Sequence, residues 1–156
     1  DIDQYCKSKN IETNKTMGRG KLFDAIFSQF CEDKLIQPTY ITDYPIEMSP
    51  LTKKHRTKKG LTERFELFIN GKEIANAYSE QNNPIEQRKS FEEQMKLSER
   101  GDNEAMIIDA QFLKAIEDGM PPTSGIGIGM DRLTMLLTNK TSIQDVLFFP
   151  QMKQKK

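Results

Sequence analysis

The sequence predicts an α+β domain in which helices flank an antiparallel β-sheet. The first observation is the pair Asn70-Gly71 between two segments rich in aromatic and β-branched residues, because Asn-Gly favours the type I′ turn of a β-hairpin. The second is that strands interleave with helices without the strand–helix–strand rhythm of a parallel sheet. With 156 residues, the chain is long enough for one domain with a buried core.

The first part of the chain is predicted to contain a helix, a strand and a loop. Residues 1–7 have the composition of the middle of a helix, so we expect a fragment of a longer protein. Residues 21–34 carry apolar side chains at helical spacing and predict the first long helix. Residues 38–43 predict a short strand that begins with proline, where no ladder donor is lost. Residues 45–60 lack apolar periodicity and are predicted to be a loop.

Two helices are predicted after the hairpin, which covers residues 61–80. Asn83 can cap a helix that has Pro84 in its first position and runs to about Arg100. Asp102 is predicted to start a second helix, with apolar residues on one face and Gly119 as its end. Both predictions rest on capping residues and on helical periodicity.

The last part of the chain alternates glycine with isoleucine and then becomes helical. Residues 123–129 predict a strand whose isoleucines pack on one face while the glycines leave the other face open. Residues 130–138 predict a helix with a buried side formed by Leu133, Leu136 and Leu137. Ser142 is predicted to cap a short segment that leads into residues 146–150.

Composition and charge do not mark the chain as a nucleic-acid or membrane binder. Lys plus Arg and Asp plus Glu are balanced at 23 each. The basic cluster at residues 53–59 is interpreted as a solvated loop, and the Lys-rich end at residues 153–156 as a loose tail. Cys6 and Cys31 have no metal-ligand spacing, which suits a reducing compartment. With no apolar run of membrane-spanning length, we expect a soluble cytoplasmic protein.

Two glutamates of the hairpin could share a metal ion. If the turn contains two residues, Phe68 pairs with Glu73 and Glu66 pairs with Ala75. Glu66 and Glu73 would then be diagonal neighbours on one face, about 7–8 Å apart at the backbone. Carboxylates this close can share a divalent cation that also holds phosphate oxygens.

Three polar residues follow at the spacing of one strand face: Asn76, Tyr78 and Glu80. Their parity is opposite to that of Glu73, so a regular strand would direct them to the other face. A single pocket containing all of these side chains requires a β-bulge near Ile74-Ala75. The alternative is a solvated polar face, which is the ordinary condition of an antiparallel hairpin.

The glycine strand and Arg132 suggest an anion site. The pattern Gly-x-Gly-x-Gly matches neither the dinucleotide-binding fingerprint nor the P-loop, and glycine alternation alone indicates tight packing more often than ligand binding. A guanidinium at the start of a helix is unfavourably placed for the helix dipole. Arg132 therefore suggests an anion such as a triphosphate. The alternative is an ion pair with a nearby carboxylate such as Asp131.

These segments together have a recognisable pattern. They are the hairpin Phe65-Glu-Leu-Phe-Ile69 and Lys72-Glu-Ile-Ala-Asn-Ala-Tyr-Ser-Glu80, the run to Asn83-Pro84, and Gly125-Ile-Gly-Ile-Gly-Met-Asp-Arg132 through Phe149-Pro150. The pattern closely resembles class II lysyl-tRNA synthetases, and most of all their eukaryotic form. The resemblance covers nearly the whole chain.

The resemblance implies an ATP site and a lysine site. Arg132 would be the motif 3 arginine, holding the γ-phosphate and adenine of ATP. Glu66 and Glu73 would hold Mg²⁺ on the ATP phosphates and, with Arg132, form the catalytic set. The other ATP contacts would be Ile74, Gly129 and Asp131. The lysine contacts would be Asn76, Tyr78, Glu80 and Gly125.

The chemistry of Glu80 and Tyr78 agrees with a lysine pocket. A lysine side chain brings an ammonium group and an apolar stem, so its pocket should offer a carboxylate and an aromatic wall. A relative specific for aspartate would need a cation there, and none of these strand positions is basic. Without the resemblance, Tyr78 would be interpreted as a packing residue. His55, the only histidine, is given no catalytic role.

The resemblance also places the chain within a larger enzyme. Motif 3 would occupy about residues 123–138, and motif 1, motif 2 and the anticodon-binding domain lie outside residues 1–156. The whole chain would thus be the C-terminal portion of the catalytic domain. The full enzyme would act on tRNA(Lys) and dimerise through segments missing here, while the isolated chain should be nearly inactive without the motif 2 arginine. The rival hypothesis is a non-catalytic binding or scaffolding module.

Overall fold

The computed structural model describes residues 1–14, 16–102 and 105–151. The helices it describes are α1 (Ile2–Ser8), α2 (Arg19–Phe30), α3 (Pro84–Glu99), α4 (Ala110–Glu117) and α5 (Met130–Leu137). The strands are β1 (Thr39–Thr42), β2 (Arg64–Ile69), β3 (Lys72–Ser79) and β4 (Ser124–Ile128). Short 3₁₀ helices lie at Glu32–Lys34, Ile46–Met48 and Ile143–Asp145. The Lys-rich end at residues 153–156 lies outside the described residues.

The strands form one four-stranded sheet in the order β1-β2-β3-β4. Every pair of neighbouring strands is antiparallel. Along the chain, the helices come before, between and after the strands, as expected for an α+β fold. The predicted fold class is therefore confirmed. Strands β2 and β3 are central, so the hairpin that carries most predicted site residues lies in the middle of the sheet.

Capping residues mark where the two helices after the hairpin begin. The start of α3 agrees with the prediction and the start of α4 does not. Asn83 Oδ1 accepts hydrogen bonds from the first turn of α3, including Ile85 N at 3.0 Å. The prediction that Asp102 starts the next helix is wrong, because α4 begins only after Asp109. Asp102 is instead buried and forms an ion pair with Lys21 Nζ at 2.6 Å. A carboxylate committed to this tertiary contact does not act as a helix cap.

Helix α2 packs across one face of the sheet. The rings of Phe27 and Phe68 meet edge to face, with 5.5 Å between their centres. Phe68 is only 3% exposed. At the N-terminal end of α2, Leu22 joins Cys6 and Ile11 in a small core. The aromatic contact therefore holds α2 above the strand that carries Glu66.

The predicted packing of the C-terminal elements is not observed within the described residues. Met135 is the buried residue of α5, whereas Leu136 and Leu137 are exposed. The isoleucines of β4 are also exposed, Ile126 by 60% and Ile128 by 49%. These apolar side chains therefore face outward, although their pairing partners Ala75 and Ala77 are buried. Among the described residues, no helix combines the length and apolarity needed to cross a bilayer.

We expect Phe68→Ala to lower the free energy of unfolding by about 3–5 kcal/mol, because it removes a buried ring and its contact with Phe27. Urea denaturation of the 156-residue chain would measure the change. Phe148→Ala is the matched control, since that ring is 96% exposed. It should change stability by less than about 0.5 kcal/mol. Equal losses from both substitutions would contradict the proposed role of Phe68 as an anchor.

Candidate active site

A β-bulge in the hairpin organises the site. Asn70 and Gly71 have φ angles of 54° and 67°, as a type I′ turn requires. Phe68 pairs with Glu73, but the next pair is Leu67 with Ala75, so Ile74 is an extra residue. The predicted bulge is confirmed. The predicted pairing of Glu66 with Ala75 is wrong, because the bulge moves Asn76 opposite Glu66.

The shift in register brings the polar side chains to one face. Asn76 pairs with Glu66 on one side and with Gly127 on the other. Tyr78 pairs with Arg64 and with Gly125 in the same way. Directly paired residues share a face, so the glycines of β4 lie beside the polar residues of β3.

Both carboxylate oxygens of Glu66 are held by neighbours. Tyr44 Oη donates a hydrogen bond to Oε2 at 2.7 Å, and Arg64 Nη2 donates one to Oε1. Burial raises the pKa of Tyr44, and the hydrogen bond to Glu66 raises it further. Tyr44 therefore stays protonated as the donor. Each oxygen of Glu66 keeps a second lone pair with which it could coordinate a metal ion.

Glu73 and Arg132 are the next pair in the site. Arg132 Nη1 donates a hydrogen bond to the backbone oxygen of Glu73 at 2.7 Å and lies 3.5 Å from Glu73 Oε2. The suggested partner Asp131 is therefore not the one observed. Both side chains are more than one-third exposed, so the ion pair is weak and open to an incoming anion.

Glu66, Glu73 and Arg132 line one cavity of about 400 Å³ between α2 and the sheet. Asp24 of α2 lines it too. Burial raises the pKa of Asp24, and the negative charge of Glu66 raises it further. The lining of the cavity thus combines carboxylates with one guanidinium, as expected where a cation and an anion bind together.

The other predicted ATP residues surround an adjoining depression of about 380 Å³. It is lined by Ile74, Gly129, Asp131 and Arg132, with Glu73 between the two spaces. Gly129 N donates to Ile74 O at 2.9 Å, which ties the start of α5 to the bulge. The structure therefore brings all predicted ATP residues around Arg132 and Glu73.

The predicted lysine residues form a second group at the other end of β3. A Cβ atom added to Gly125 would lie 2.5 Å from Glu80 Oε1, so a larger residue at position 125 would displace this carboxylate from its observed position. Burial raises the pKa of Glu80, and burial followed by the Glu80 charge raises that of Tyr78. Within the described residues, no hydrogen bond or ion pair satisfies the Glu80 carboxylate. It is suited to receive a cation.

Arg64 and Tyr44 are site residues that sequence reasoning missed. Arg64 lies two positions before Glu66, so strand periodicity alone places it on the same face. It also donates from Nε to Asn76 Oδ1 at 3.1 Å. Tyr44 lies between the predicted strand at residues 38–43 and the predicted loop at residues 45–60, and no local signal links it to Glu66.

His55 has a structural role. Its Nδ1 accepts hydrogen bonds from Thr57 N at 3.1 Å and Lys58 N at 3.0 Å. Its Nε2 lies 3.3 Å from Asp43 Oδ1. With Nδ1 occupied as an acceptor, the ring fixes a turn and has no free base for proton transfer.

Within the described residues, no group of three or more His, Cys, Asp or Glu side chains forms a metal centre. Glu66 and Glu73 stay the predicted pair. Two carboxylates without a full cage are the ordinary protein share of a Mg²⁺ site that is completed by phosphate oxygens and water.

Residues 9–153 match the family described as tRNA synthetases class II (D, K and N). The chain belongs to this family. The whole chain is 66% identical to a lysine–tRNA ligase of Porphyromonas gingivalis and 65% identical to one of Christiangramia forsetii, covering 27% of each. A lysine–tRNA ligase of Azobacteroides pseudotrichonymphae is 65% identical over 99% of the chain and 31% of its own length.

The chain therefore spans less than one-third of the length of these class II relatives. All three relatives are bacterial, so the expected likeness to the eukaryotic form is not supported. The comparisons also give no support to the expected placement of the chain in the C-terminal part of the catalytic domain.

We expect Glu80→Gln to be at least as stable as the wild-type chain at about pH 7 without ligands. Folding raises the pKa of Glu80. At pH values between the ordinary pKa and the raised pKa, the unfolded chain therefore binds fewer protons than the folded chain. Stability therefore falls as the pH rises through that interval, and glutamine removes this loss. Urea unfolding at about pH 7 and about pH 4 would measure the difference, which should disappear near pH 4.

Glu63→Gln is the matched control with the opposite sign. Arg56 lowers the pKa of Glu63 from 4.5 to about 2. This carboxylate stabilises the fold above its ordinary pKa, and the contribution is lost as the pH falls toward 2. Glu63→Gln should therefore be less stable than wild type at neutral pH. A similar loss of stability in Glu80→Gln at neutral pH would contradict the finding that the Glu80 carboxylate has no partner among the described residues.

Proposed function

We propose that the chain is the part of a lysine–tRNA ligase that carries its lysine, ATP and Mg²⁺ contacts. The observation that carries this proposal is the Glu80 carboxylate, which has no partner among the described residues and lies over Gly125. A carboxylate desolvated without a partner is costly unless a ligand brings the opposite charge. The ammonium group of lysine would bring it, and the ring of Tyr78 would face the methylene stem.

The nucleotide side of the proposal rests on Arg132. Its guanidinium is half exposed at the junction of the two spaces, beside Glu73. An ATP triphosphate would find a cation there and a backbone approach at Gly129. We assign the remaining ATP contacts to Ile74 and Asp131.

Glu66 and Glu73 would hold Mg²⁺ on the ATP phosphates. Glu66 retains free lone pairs beside its bonds to Arg64 and Tyr44, and Glu73 is partly exposed to the cavity. When bound, the metal ion neutralises phosphate charge and orients the phosphates for attack by the lysine carboxylate. The role of the chain itself is to position the two substrates and to stabilise charge.

We place the chain in the C-terminal portion of the catalytic domain, with motif 3 at residues 123–138. A glycine strand that leads directly into α5, with Arg132 in its first turn, supports this placement. Motif 1, motif 2 and the anticodon-binding domain would belong to the rest of the protein, as would contacts with tRNA(Lys) and a second subunit. The full enzyme would work in the cytoplasm, and the isolated chain would be nearly inactive.

In the full-length protein, Glu80→Gln should weaken lysine binding at least about tenfold and leave ATP binding almost unchanged. Charge-assisted hydrogen bonds contribute roughly 1.5–3 kcal/mol, and about 1.4 kcal/mol corresponds to tenfold. Isothermal titration with lysine, and separately with ATP and Mg²⁺, would measure both affinities. Glu93→Gln, in an exposed position of α3, is the control and should change neither. Unchanged lysine affinity in Glu80→Gln would remove Glu80 from the pocket.

Arg132→Ala in the full-length protein should raise the ATP concentration needed for half-maximal pyrophosphate exchange at least about tenfold. Lysine binding should change much less, because Arg132 contacts Glu73 and not the group around Glu80. Arg88→Ala offers a control, since Arg88 is a half-exposed arginine that pairs with Glu117 at 3.7 Å. If Arg132→Ala weakens the use of ATP and the binding of lysine equally, the role of Arg132 is structural.

A further inference from the structure

Arg64 lies on β2 two residues before Glu66, on the face that carries the candidate site. Its side chain is only 15% exposed. Each guanidinium nitrogen donates a hydrogen bond. The acceptors are Glu66 Oε1 for Nη2, Asn76 Oδ1 for Nε at 3.1 Å, and both Met48 O and Ser49 Oγ for Nη1 at 2.9 Å.

We propose that Arg64 is a positioning residue that couples the amino-acid and nucleotide subsites by holding Asn76 and Glu66 with one guanidinium. The inference rests on the proposed function, which assigns Asn76 to lysine and Glu66 to the metal-bound nucleotide. Arg64 itself would contact neither substrate.

The geometry of the contact determines what Asn76 can offer. Arginine has only donors, so its Nε–H must meet the amide oxygen of Asn76. The amide oxygen is thereby occupied, and the NH₂ group of Asn76 is left as the donor for a ligand. Without Arg64, the Asn76 amide could turn over and present an acceptor instead.

The same guanidinium fixes Glu66. It engages Oε1 while Tyr44 engages Oε2, so the carboxylate plane is held from both sides. The guanidinium carbon also lies 4.6 Å from the centre of the Tyr44 ring, which restrains the position of Arg64. Any movement of Arg64 would therefore disturb Glu66 and Asn76 together.

A lysine at position 64 would keep the charge but lose the planar fork. One ammonium group cannot reproduce donors that diverge toward Glu66, Asn76 and the turn at residues 48–49. Arg64→Lys is therefore the informative variant. A residue that only supported the fold would not affect the two substrates in a matched way.

The test uses pyrophosphate exchange by the full-length protein, with KM measured for lysine and for ATP with Mg²⁺. We expect Arg64→Lys to raise both values, each at least about fivefold, and Arg56→Lys to change neither. Arg56 is the matched control because it also donates two hydrogen bonds to one carboxylate, that of Glu63, at 2.5 and 3.1 Å, but its own side chain is 79% exposed. Denaturation midpoints of both variants would show that folding is retained.

A double-mutant cycle keeps the inference testable if Arg64→Lys does not fold. The losses of kcat/KM from Glu66→Gln and Asn76→Ala should be non-additive while Arg64 is present, because one guanidinium joins the two side chains. Additive losses, or a KM change for only one substrate in Arg64→Lys, would overturn the coupling and leave the proposed function intact. Failure of the wild-type protein to bind lysine and ATP would overturn both.

Discussion

The bulge at Ile74 is the constraint on which the rest of the site depends. Side chains alternate between the faces of a strand, so a regular β3 would direct Glu73 to one face and Asn76 to the other. Ile74 is an extra residue of β3 opposite the step from Leu67 to Phe68 in β2, and it restores a common face. The backbone oxygen of Ile74 also accepts a hydrogen bond from Gly129 N, which ties the helix that carries Arg132 to the hairpin.

The two carboxylates Glu66 and Glu80 differ in whether neighbouring side chains satisfy them. Glu66 is nearly buried and each of its oxygens accepts one hydrogen bond, from Arg64 or Tyr44, so its orientation is fixed before any ligand arrives. Glu80 is partly buried and has no partner within the described residues, so its charge remains uncompensated. A pre-oriented carboxylate suits a metal ion, which requires fixed geometry. An uncompensated carboxylate suits an organic cation, which brings its own charge and displaces little protein structure.

The glycine strand serves both groups of residues. Gly125 leaves space for the Glu80 carboxylate, and Gly129 lies against Ile74 O and the side chain of Arg132. The isoleucines of β4 and the last two leucines of α5 are exposed on the described part of the chain.

The sequence by itself determined the fold class, the hairpin turn, the Asn83 cap and the need for a bulge, because each depends on local backbone preference or on parity. Tertiary structure alone decided the fate of Asp102, which pairs with Lys21 across the chain and so does not cap a helix. It also decided the partner of Arg132 and the contact of Tyr44 with Glu66, since both join residues far apart in sequence. Such contacts depend on how elements pack, and no periodicity along the chain encodes them.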